Sequence, residues 1–243
     1  MNAMILTELK LLAREPMTLL VSLMFPIVLM VLLVGAFGND ADATFGGVGG
    51  TDFYVPVYVA ATIAVMGLLG IPTHLASYRQ TGVLRRFRAS GLSPRSVMIA
   101  QLVVMASLVM IGVASMLTIG AVGYELTAPA SPLGVTIGLL VGTVAFAGLG
   151  LALGSLMPTP RAAQGLGLLL FFGLFFIAGG GPPPALLPDA INSFVAVTPM
   201  GPMVDAVSEP RNGHGVDTIA LLALAGIGIL GAVVADRRLR RDR

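Results

Sequence analysis

The sequence predicts an all-α polytopic membrane protein with six transmembrane helices, an N-terminal interfacial helix ahead of them and outer re-entrant helices before the last span. Three observations lead there. First, 56% of the 243 residues are hydrophobic and 11% are charged, with a mean hydropathy of +0.93, whereas a soluble domain carries roughly a quarter of its residues charged. Second, six apolar runs reach the length of about 20 residues that a spanning helix needs, and none contains Asp, Glu, Lys or Arg. Third, the basic residues sort onto alternate loops.

In chain order, residues Asn2 to Glu15 read as an amphipathic helix lying along the interface. Ile5, Leu6, Leu9, Leu12 and Ala13 share one face, with Glu8, Lys10, Arg14 and Glu15 on the other and Leu11 off the stripe. A polar start to the first span is the alternative. Pro16 separates this segment from the run Met17 to Phe37. No small-residue cleavage site closes that run, so it is expected to stay as a helix. The other runs are Phe53 to Leu75, Val97 to Gly123, Leu133 to Leu156, Ala162 to Gly180 and Thr218 to Ala235. Gly179-Gly180-Gly181-Pro182-Pro183-Pro184 must end the fifth.

Orientation follows from Lys and Arg in the short loops. Lys10 and Arg14, then Arg79, Arg85, Arg86, Arg88 and Arg95, then Arg161, and finally Arg237, Arg238, Arg240, Arg241 and Arg243 fall on one side. That is thirteen of the fourteen basic residues, and only Arg211 lies opposite. The basic side, with both termini, is expected to be cytoplasmic. Tyr54, Tyr58 and Tyr124 fall near the expected outer interface and Tyr78 near the inner one.

Within the fourth span Gly134, Gly138 and Gly142 are spaced four apart, and Gly150 and Gly154 repeat the spacing. One face can then meet another backbone closely, within the chain or between two copies. The fifth span carries Phe171, Phe172, Phe175 and Phe176 at helical spacing, either as lipid-facing or packing residues or as a surface that touches an apolar substrate. From Pro182 to Pro210 the chain is rich in Pro yet apolar, too broken to span. It suggests short helices dipping into the outer leaflet and buried against protein, with an ordinary surface loop as the alternative.

Composition also excludes chemistry. The chain has no Cys, and its two His residues, His74 and His214, are far apart, so metal sites and thiol catalysis lack their parts. No phosphate loop surrounds the single lysine, Lys10, so ATP chemistry would have to come from another polypeptide. No H-E-x-x-H or G-x-S-x-G motif is present, and no catalytic residue is assigned. Ion-coupled transport needs ionisable groups within the spans, and His74 at the end of the second is the one candidate.

The cytoplasmic loop 77–96 carries the most information. Val83, Leu84 and Phe87 share a helical face with Arg85, Arg86 and Arg88 around it, while Gly91 and Pro94 suit its termination. Apolar knobs with a basic rim fit a protein surface or anionic headgroups, and a loop that merely sets topology is the alternative.

At this loop the sequence resembles the membrane subunits of type 2 ABC exporters, the family that includes daunorubicin-resistance-type drug permeases. The likeness rests on the segment before the first span, the loop from Arg79 to Pro94, and Leu187-Pro188 with Thr198-Pro199-Met200-Gly201-Pro202-Met203-Val204-Asp205-Ala206. It departs from many relatives at Gln80, often acidic there, and at Gly91, often Pro. The resemblance implies an ATPase-coupling helix at Thr81, Gly82, Val83, Leu84, Arg85, Arg86, Phe87 and Arg88. It also implies re-entrant helices marked by Pro188, Pro199, Pro202 and Asp205. By the same likeness the chain is a permease subunit in a bacterial cytoplasmic membrane. It would pair with a second permease subunit, identical or similar, and with an ABC ATPase subunit that binds the ATP and magnesium. A drug, antibiotic or lipid is the expected cargo, with no nucleic-acid partner, and a secondary or facilitative transporter is the alternative.

Overall fold

The computed structural model describes residues 40 and 43–241, apart from 90, 92–93, 125 and 182, together with scattered residues between 24 and 35. The expected interfacial helix 2–15 and most of the first span, 17–37, lie outside the described residues. The described chain is helical: α1 (Gly50–Gln80), α2 (Val83–Ala89), α3 (Pro94–Gly123), α4 (Pro132–Leu156), α5 (Pro160–Gly180), α6 (Asp189–Val197), α7 (Met200–Arg211) and α8 (Thr218–Arg241). No strand occurs among the described residues. Five of these helices, α1, α3, α4, α5 and α8, are long and apolar enough to cross a membrane, and each matches an expected span.

Their boundaries follow local chemistry. Ser131 and Thr159 accept hydrogen bonds from Gly134 N–H and Ala162 N–H, capping α4 and α5, each of which has Pro in its first turn. α1 continues beyond the expected Leu75 to Gln80, and α8 continues through the arginines to Arg241. The reason in α8 is that Leu239 extends the buried face of Ala235 by one turn while Asp236 and Arg240 pair at 3.0 Å.

α4 is the hub, because its glycines open three faces. Gly134, Gly138 and Gly142 face Pro210, the Ala206 carbonyl and Met203 on α7. Gly148 faces Gly228 and Gly231 of α8. Gly150 and Gly154 face Gly67, Pro72 and Leu75 on α1. The glycine stripe is thus used inside the chain, where missing side chains let backbones touch and dispersion contacts accumulate.

α1 is enclosed almost all round, with Tyr54, Tyr58, Ile63, Leu68 and Leu75 buried. It is not uniform. Residues Met66–Gly70 widen into a π turn, next to Pro72, which has no N–H to return to the preceding turn. Gly167 of α5 packs on the Leu68 carbonyl there. α5 also ends in a π turn, Phe176–Gly180, where Gly179 adopts φ +89° and the chain leaves the helix.

The segment expected to form short helices buried against protein does form short helices, but only the second of them is buried. After a 3-10 turn at Pro184–Leu186 come α6, with none of its residues buried, and α7, packed against α4, α1 and α8.

Candidate functional site

At the end of the bundle bearing the arginines, α1 stops because Thr81 turns back: its N–H and Oγ1 both donate to the Ser77 carbonyl, at 2.9 and 2.7 Å. Gly82 takes φ +72°, which reverses the chain, and its carbonyl accepts from Arg85 N–H at 3.1 Å and Arg86 N–H at 3.2 Å to start α2. Between these helices Arg79 reaches across to α4 and donates from Nη1 to the carbonyls of Gly154, at 3.2 Å, and Met157, at 2.9 Å. A cation on the last carbonyls of a helix satisfies orphan acceptors and complements the dipole. One of the topology arginines is therefore also a helix cap.

The faces of α2 differ from the sequence expectation. Leu84 is 7% exposed and belongs to the chain's own core, and Phe87 stands edge-on to Tyr78 with ring centroids 6.2 Å apart. The apolar knobs seat α2 on the end of α1 and are not all available to another subunit. The reason is that a short amphipathic helix beside an apolar bundle buries its stripe locally. The surface it presents is made of Thr81, Arg85 and Arg86, all exposed, with Gly82 and Val83 half-buried. The Arg88 side chain lies outside the described residues.

The aromatic stripe of α5 divides. Phe171 and Phe175 are buried and stacked, and Phe175 meets Tyr58 at 5.6 Å. Phe172 and Phe176 are exposed and stacked on each other at 6.1 Å. Tyr58 Oη donates to the Gly180 carbonyl at 3.1 Å and Tyr54 Oη to the Gly181 carbonyl at 3.3 Å, so the frayed end of α5 finds its donors on α1.

Of the residues expected to mark re-entrant helices, Pro188 precedes α6, Pro199 precedes α7, and Pro202 is buried in the first turn of α7. Asp205 lies further along α7 and is exposed. The protein crowding its carboxyl, and then Asp217 and Glu209, push its pKa up to about 6.

Arg211, which sequence reasoning set aside as the exception to the charge rule, is a connecting residue. Its guanidinium is buried and pairs with Asp52, and Nη2 donates to the Thr127 carbonyl at 2.7 Å. The signal was present: a lone basic residue on the sparsely basic side needs a partner if it is to be buried.

Five helices among the described residues are long and apolar enough to cross a membrane, and no strand lies among those residues, which defines a multi-pass all-α membrane protein. The family model described as ABC-2 type transporter matches residues 1–209, and the chain belongs to that family. A search of curated proteins gives no match.

Proposed function

We propose that this chain is the permease subunit of an ATP-driven exporter, moving an amphipathic or lipophilic substrate such as a drug, an antibiotic or a lipid outward across a bacterial cytoplasmic membrane. A separate ATPase subunit binds ATP and magnesium, and a second permease, identical or similar, completes the transmembrane part. The observation that carries the reading, given the family, is α2: a basic helix fixed by its own apolar side to the end of α1, with Arg85 and Arg86 exposed. Such a helix can transmit force, because its apolar side is seated on the bundle through Leu84 and Phe87 while its rim is exposed. The arginine-bearing end and both termini are cytoplasmic in this reading. The exposed Phe172 and Phe176 are the residues of the aromatic stripe open to an apolar substrate, while Phe171 and Phe175 support them from within.

α1 is the route of coupling. One end holds α2, and the other is tied through Tyr54 and Tyr58 to the end of α5. A displacement of α2 therefore reaches the opposite end through a single buried helix with one softer π turn.

The test separates the seat from the rim. The purified chain should hydrolyse no ATP, and an ATPase should copurify with it from native membranes. Arg85→Glu with Arg86→Glu should cut the copurified ATPase at least about tenfold, because reversing charges at a complementary interface places like charges together. Leu84→Ala should instead destabilise the permease itself by about 2–5 kcal/mol, as buried Leu truncations do. Undiminished copurification with the double Glu variant would overturn the docking assignment.

A further inference from the structure

The Arg211 cluster joins three pieces of chain that are distant in sequence. Asp52 lies in the first turn of α1, where helix N–H groups favour an anion, and Arg211 is the last residue of α7, where carbonyls favour a cation. Thr127, from the α3–α4 connection, sits between them. One oxygen, Asp52 Oδ1, accepts from the Arg211 guanidinium, from Thr127 Oγ1 at 2.9 Å and from Thr127 N–H at 3.3 Å. The backbone repeats the junction: Ala130 N–H donates to the Arg211 carbonyl and Ser131 N–H to the Pro210 carbonyl, both at 3.0 Å.

We propose that Asp52, Thr127 and Arg211 form a latch that holds this end of the permease closed, and that separation of Asp52 from Arg211 releases the first half of α1 from α7 to open it. The geometry is that of a catch that can release. The charges meet through one carboxylate oxygen and one guanidinium nitrogen, without the second prong that makes Arg–carboxylate pairs strong. A buried pair held this way only narrowly offsets the desolvation of its ions. The Arg211 side chain is 4% exposed and that of Asp52 is 17% exposed, so the carboxylate keeps an edge at the surface where water can take it over. The half of α1 that carries Asp52 ends at the π turn Met66–Gly70, which supplies a place to bend.

The latch rests on the transport reading, yet its test needs neither the ATPase nor a substrate. Failure of an ATPase to copurify would remove the exporter and leave the labelling result standing. The full chain contains no Cys, so single reporters are clean. Val55→Cys stands one turn from Asp52, where the native residue is 1% exposed, and Ala76→Cys stands at the opposite end of α1, where the native residue is fully buried. Labelling rates with a hydrophilic maleimide are measured in membranes open to the reagent on both sides. Asp52→Asn and Arg211→Gln should each raise the rate at Val55→Cys about tenfold or more, the scale of a lost hydrogen bond to a charged group. The rate at Ala76→Cys should stay unchanged. An unchanged rate at Val55→Cys would overturn the latch. So would a parallel rise at both reporters, which would make the cluster a general staple of the fold.

Discussion

Gly165 and Gly167 are two residues apart in α5, and a methyl group added to each should act with opposite sign. A Cβ at Gly165 meets nothing within 4 Å, whereas at Gly167 it would stand 3.0 Å from the Leu68 carbonyl carbon and closer still to its oxygen. Non-bonded heavy atoms pack best at about 3.5–4.0 Å, so the nearer carbonyl oxygen sets the demand and α5 and the π turn of α1 would have to part by about 1 Å or more. Overpacking of that kind commonly destabilises by about 1–3 kcal/mol. Both changes share the same helix-propensity gain over Gly, about 1 kcal/mol, so the difference between the two variants isolates the contact. Gly165→Ala should therefore be neutral or stabilising. Gly167→Ala should fall about 1–3 kcal/mol below it, up to roughly a hundredfold in the unfolding equilibrium. Reversible unfolding in mixed micelles, followed by circular dichroism against denaturing detergent, gives the difference directly. Equal stabilities would refute the close approach of α5 to α1.

Orientation and capping provide the other tests. A Cys at Asn212, exposed beyond α7, should react with impermeant maleimide in intact cells, whereas Thr81→Cys should react only after permeabilisation; the reverse pattern would invert the proposed topology. Arg79→Met removes two bonds to the end of α4 and should lower stability by about 1.5–3 kcal/mol. Arg161→Met alters an exposed residue and should leave the melting temperature unchanged, so equal effects of the two would show that Arg79 is no cap.

The spans were legible because hydropathy is a property of composition over a window, and a bilayer imposes a length. The ends were less so. α8 passes the expected Ala235 because Leu239 continues its buried face, a contact that a hydropathy window dilutes among four arginines. The glycine stripe was readable as a place of close approach but not as three separate approaches, since which element lies against Gly138 or Gly150 depends on non-local packing. The same limit explains Leu84 and Phe87: amphipathicity defines an apolar face, while the surface it buries belongs to the tertiary fold. Arg211 was harder still, because its partners are Asp52 and Thr127, 159 and 84 residues away in sequence.

The lengths of the crossing helices set how far the chain stands from the bilayer. α8 has 24 residues, which at about 1.5 Å each make roughly 36 Å, little more than a hydrocarbon core of about 30 Å, so its closing arginines arrive at the level of lipid phosphates. α1 has 31 residues and extends roughly 46 Å. Even tilted by about 20°, it overshoots the core by more than 10 Å. That excess is carried at the ends of α1, and α2, joined to one of them through the Thr81–Gly82 turn, is mounted there like a foot on a stalk.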